Sequence, residues 1–209
     1  MVLSVVEIAL LIMLPLVLFY QRSSWPFKQY ALSIVIIYVI WYVTYALLHE
    51  LSHMLGAWMF DKTIFGYKLI PKFWAGDFGV GYINYDYKSD GKDFVIILLP
   101  YLRDIIFLII GYVLLIKPRL KKPFLLGLVL VLFVLSPLFD IANNYVAYLL
   151  GSMNDFNALK ESSNALISNL IGICFFTASL IVTIVIIRRY KGYPKLNPGP
   201  FRSPKSNFH

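Results

Sequence analysis

The chain has 209 residues, of which 59% are hydrophobic and only 14% charged, with a mean hydropathy of +0.73. Soluble domains carry closer to a quarter charged residues, so the composition excludes a water-soluble globule, a disordered chain and, with Cys174 as the single cysteine, a disulfide scaffold. The net charge of +8 comes from Lys and Arg gathered between apolar stretches, which marks them as topology determinants of a membrane protein and removes the nucleic-acid reading that a basic chain invites.

Five apolar stretches are each long enough to cross a hydrocarbon layer roughly 30 Å thick as a helix. They are Val2 to Tyr20, Tyr30 to about Trp58, Phe94 to Ile116, Phe124 to Leu150 and Ala165 to Ile187. The first has no basic leader and no small-residue cleavage site after it, so it reads as a retained span. Between the second and third, Ile64 to Ile70 and Phe78 to Tyr87 are rich in aromatic and β-branched residues, with Pro71, Gly76 and Asp77 between them. That pattern predicts a β-hairpin at the membrane surface. The expected fold is an all-α membrane bundle of about five transmembrane helices with a small β-hairpin between helices two and three, occupying residues 1–187. Residues 188–209 are basic, contain four prolines and lack apolar periodicity, which predicts a disordered tail.

Twelve Lys and Arg follow spans one, three and five, six follow spans two and four, and Arg103 falls inside a span. The positive-inside rule then places the N-terminus outside and the C-terminus in the cytoplasm.

Span two carries His49-Glu50-Leu51-Ser52-His53, the pattern H-E-x-x-H. Residues four apart lie one above the other on a helix, so both imidazoles can bind one zinc while Glu50, about 100° round from His49, can reach a water on that metal. Ionisable side chains inside a membrane helix are costly and are kept for function. The rival readings are histidines that merely hydrogen-bond neighbouring helices and a metal site without hydrolysis.

A catalytic zinc takes three protein ligands. The remaining histidine is His209 at the far end, and Glu7 and Glu161 lie in unsuitable places, so the third ligand should be an aspartate. Asp140 on span four lies at about the depth of His49, roughly 24 against 28 Å from one surface at 1.5 Å per residue. Asp104 lies at a comparable depth, but Arg103 beside it offers an ion-pair explanation. Asp140 has no basic neighbour in sequence, and a lone carboxylate in lipid needs a cation. Asp140 is therefore the favoured ligand and Asp104 the alternative, with Asp155 or no protein ligand as the remainder. Asn143 and Asn144 follow Asp140 by three and four residues, where an amide can orient the carboxylate or bond a substrate carbonyl; inter-helix bonding is the plain alternative.

An H-E-x-x-H helix, a surface β-element, an intervening span and a further span bearing Asp resemble the site-2 protease family of intramembrane zinc metallopeptidases, in particular its small compact members. The likeness covers about Tyr30 to Leu150, with Ile141 where the family often has glycine after its aspartate. It implies one zinc ion held by His49, His53 and Asp140, Glu50 as the base that activates water, and a membrane-protein substrate cut within the lipid bilayer. The same residues would serve a membrane zinc hydrolase of another amide or of a lipid, and a metal-binding scaffold or transporter would need only the ligands.

Overall fold

The computed structural model describes residues 2–20, 27–70, 75, 81–116 and 123–191. The expected turn residues Pro71, Gly76 and Asp77, the neighbouring Phe78 and Gly79, the basic loop 117–122 and the tail beyond Lys191 lie outside them.

The chain opens with two short helices, α1 (Val2–Ile8) and α2 (Leu14–Tyr20), joined by a π-helical turn (Ala9–Met13). Next come α3 (Phe27–Met59), strands β1 (Ile64–Lys68) and β2 (Tyr82–Tyr85), and α4 (Gly91–Ile116). The last third comprises α5 (Pro123–Leu130) and α6 (Ser136–Leu149), joined by a second π turn (Val131–Leu135), then the short α7 (Asp155–Ser162) and α8 (Ala165–Lys191).

Among the described residues, four helical segments are long and apolar enough to cross a membrane: Ala31–Met59, Gly91–Leu115, Phe124–Leu149 and Ala165–Arg189. The expected first crossing is present as a helix, but its apolar part, Val5–Val17, is shorter than these four. It packs through Ile12 and Leu16, both fully buried, into a cluster with Ile37, Trp41, Leu130 and Ile186. At 33 residues, α3 is about 50 Å long, more than the hydrocarbon thickness requires. His53 lies six residues, about 9 Å, from its C-terminal end.

The predicted hairpin is a two-stranded antiparallel sheet that pairs Lys68 with Tyr82, Tyr67 with Ile83 and Gly66 with Asn84. The register slips at Phe65, so that Ile64 faces Tyr85. Beyond it, Asp90 starts α4 as a side-chain cap: its Oδ1 accepts from the amides of Lys92 (2.9 Å) and Asp93 (3.0 Å). The Asp93 carboxylate reaches back to the amides of Lys88 and Asp90, a reciprocal capping box. Lys62, just past α3, bonds Asp93 Oδ1 at 2.7 Å and so ties the end of one crossing to the start of the next.

The helix α7 is absent from the predicted elements, although its sequence carries a helix-start signal. Asn154 caps it by accepting from the amide of Phe156, and Phe156 and Leu159, three residues apart, are both fully buried. These two side chains enter a second cluster with Ile97, Tyr101, Ile141 and Tyr145. Burying each is worth about 1.5–3 kcal/mol relative to exposure to water, which holds α7 against the bundle rather than out in a loop.

Candidate metal centre

Helix α3 presents His49, Glu50 and His53 inward, each buried to 7–8% exposure. Helix α7 delivers Asp155 from the other side of the same space. Its Oδ2 lies 3.0 Å from Nε2 of His49 and 3.2 Å from Nε2 of His53. The three residues offer ligand atoms within 4.8 Å of one another, a group that could hold a metal ion. The carboxylate facing both imidazoles is thus Asp155, not the favoured Asp140.

Asp155 is placed by its neighbours in sequence. Phe156 packs between Tyr101 and Tyr145, with ring centroids 5.1 and 5.3 Å away, and Asn154 donates to the carbonyl of Asn144 at 2.6 Å. The Tyr101 hydroxyl donates to Asp155 Oδ2 at 3.0 Å. Burial alone would raise the Asp155 carboxyl, but the His53 and His49 imidazoles outweigh it and hold the group well below its ordinary value of 3.8.

Asp140 lies against His49 as expected, but on the far edge of the ring: Oδ2 accepts from Nδ1 at 2.8 Å. Arg103 from α4 bonds the same oxygen at 2.8 Å and Asp104 Oδ1 at 2.6 Å. The expected Arg103–Asp104 pair is therefore present, and the cation that Asp140 lacks in sequence comes from α4. Asn144 donates to Asp140 Oδ1 at 2.9 Å, orienting the carboxylate, while Asn143 lines the open space over the site. Asp104 stays behind Arg103 and outside the group.

The second histidine is held in the same manner. Nδ1 of His53 donates to the main-chain carbonyl of Ile96 at 3.1 Å. Histidine ligands usually donate one ring N–H to a carboxylate or carbonyl, which fixes the tautomer and frees the other nitrogen for the metal. Both imidazoles here meet that requirement with Nδ1, and both turn Nε2 toward Asp155.

Four carboxyl groups, those of Glu50, Asp104, Asp140 and Asp155, share this largely buried region with one guanidinium, Arg103. Uncompensated charge away from water is expensive, and a cation held by His49, His53 and Asp155 would offset part of the excess. A cavity of about 870 Å³ opens above the group, lined by His49, Glu50, His53, Asp155, Asn143 and the hairpin residues from Gly81 to Tyr85. The hairpin borders it with consecutive residues of β2 and with Phe65 of β1. Gly81 rests on Glu50: a Cβ there would come 2.6 Å from Glu50 Cγ and 2.8 Å from the Lys68 carbonyl. The far end of the hairpin is fastened to α7, with the Tyr87 hydroxyl donating to the Ala158 carbonyl (3.0 Å) and that of Ser89 to the Glu161 carbonyl (2.7 Å).

Comparison with protein-family models, with curated proteins and with solved structures gives no match to this chain.

Proposed function

We propose that the chain is an intramembrane zinc metallopeptidase that hydrolyses a peptide bond of a membrane-protein substrate, as the likeness to the site-2 protease family suggests. The observation that carries this reading is the convergence of His49, His53 and Asp155 beside Glu50 at the base of one cavity. The donor set fits zinc: two neutral nitrogens and a carboxylate oxygen are its common ligands, and at about 2.0–2.1 Å in a tetrahedron they stand about 3.4 Å apart. The two nitrogen-to-oxygen separations of 3.0 and 3.2 Å need little adjustment.

Zinc, when bound, supplies Lewis acidity that polarises a carbonyl and makes water a nucleophile near neutral pH. Glu50 takes the proton of the attacking water and returns it to the departing amine as the C–N bond breaks. Asp140 and the Ile96 carbonyl keep the two imidazoles aimed. Asn143 lines the cavity, and its amide would donate to a substrate carbonyl there. A helical substrate hides its peptide bonds, so the scissile stretch is read as unwound and laid along the open edge of β2, whose main-chain groups can bond an added strand. The charge balance of the loops puts the hairpin side outside and the C-terminal end in the cytoplasm.

The test is Glu50→Gln in the full chain. Zinc content measured on the purified protein should equal that of wild type, while cleavage of a co-expressed single-span substrate should stop. Continued cleavage by the variant rejects the mechanism, and wild-type protein without zinc rejects the site.

A further inference from the structure

Helix α4 contributes no ligand, yet it contacts the support of all three: the Ile96 carbonyl on His53, Tyr101 on Asp155, and Arg103 on the Asp140 that holds His49. The first of these depends on a carbonyl that an ordinary helix would not release. In α4 the Ile96 oxygen would accept from the amide four residues on, and that residue is Pro100, which has no N–H and whose ring crowds the carbonyl at that position. Ile96 is fully buried, so its oxygen needs another donor. Close helix contact supplies one. Gly56 lets α3 approach until a Cβ there would be 3.2 Å from Ile96 Cα, and one turn back His53 meets the freed oxygen at 3.1 Å.

We propose that Pro100 is a positioning residue for the metal centre: by withholding the amide that would occupy the Ile96 carbonyl, it gives that carbonyl to Nδ1–H of His53 and leaves Nε2 to face the ion. This rests on reading His49, His53 and Asp155 as a divalent metal site. It assigns a helix-breaking residue within a crossing to ligand orientation, acting through another residue's main chain. The exchange is mutual, because the oxygen orphaned by Pro100 and the ring proton of His53 satisfy each other.

The test uses the full chain in detergent or nanodiscs and two measurements. Zinc affinity, read by competition with a chromophoric chelator, should fall about 10–100-fold in Pro100→Ala, the range expected when an outer partner of a ligand is lost. The metal-free unfolding temperature is then compared across wild type, Pro100→Ala, His53→Ala and the double variant. Removing His53 strands the Ile96 oxygen only while residue 100 is proline. The temperature drop caused by His53→Ala should therefore shrink by at least half in the Pro100→Ala background. A merely structural proline gives equal drops in both backgrounds, and that additivity overturns the proposal, as does a Pro100→Ala variant that binds zinc as tightly as a zinc-binding wild type. A wild type that takes no zinc but shows the non-additive cycle rejects the metal reading and still supports the Pro100–His53 link.

Discussion

Asp140 and Asp155 grip His49 from opposite edges of its ring, Asp140 at Nδ1 (2.8 Å) and Asp155 at Nε2 (3.0 Å). Two carboxylates of like charge on one imidazole have different consequences when removed. Asp155→Ala takes away a ligand and should abolish stoichiometric zinc binding. Asp140→Ala leaves all three ligands and should weaken zinc about 10–100-fold. Asp140→Asn, which keeps an oxygen acceptor, should lie between Asp140→Ala and wild type. Zinc titration of the three variants checks the order, and a loss in Asp140→Ala exceeding that in Asp155→Ala would reverse the assignment.

Arg103 is the cation shared by Asp104 and Asp140. Removing one partner of a buried ion pair leaves the other charge stranded, at a cost of about 3–5 kcal/mol. Arg103→Met should therefore lower the unfolding temperature sharply, and adding Asp104→Asn should recover part of the loss. Thermal unfolding of both variants decides this; a second substitution that deepens the loss contradicts the shared-cation arrangement.

Gly81 lies where any side chain would push on Glu50 and on the carbonyl of Lys68. In Gly81→Ala either β2 or the Glu50 side chain must shift. A displacement of about 1 Å in a reacting group can cost about 10²-fold in rate. The expected result is cleavage down by about that factor with zinc content unchanged. Simultaneous loss of zinc would mean that the substitution disturbs the ligands and not the base.

Asp90, outside the crossings, has its carboxyl held below the ordinary 3.8, first by the amide of Asp93 and further by Lys62, against a smaller opposing effect of burial. A depressed carboxyl contributes stability that is complete above the unfolded-state value and disappears as pH falls through the folded one. Asp90→Ala should thus unfold at a lower temperature than wild type at pH 7, and the gap should narrow as pH drops below about 4. A gap of constant size down to pH 3 would show that the charged cap is not what Asp90 contributes.

The structure also separates two kinds of inference about the aspartates. Helix rise alone brings Asp140 to the depth of His49, against which it lies, because that rise is fixed by local geometry. It did not say which edge of the imidazole the carboxylate meets, since that depends on helix rotation and packing. The absence of basic residues near Asp140 in sequence was misleading for the same reason: Arg103, 37 positions away, bonds it across a helix interface. Asp155 falls between two apolar spans, so depth within a crossing has no bearing on it. Its signal was the cap Asn154 with Phe156 and Leu159 at helical spacing, which marks an amphipathic turn able to fold back on the bundle.

What the amino-acid order determined alone is what local physics controls. Apolar length makes the crossings, aromatic and β-branched runs make the hairpin, and spacing by four puts His49 and His53 on one face of α3. Which carboxylate faces both imidazoles, the sharing of Arg103 and the release of the Ile96 carbonyl to His53 were decided only by tertiary packing. Each joins groups 37 to 106 residues apart or turns on which side of a ring a partner approaches. Periodicity has no term for either, because it describes one helix at a time and these contacts exist only between helices.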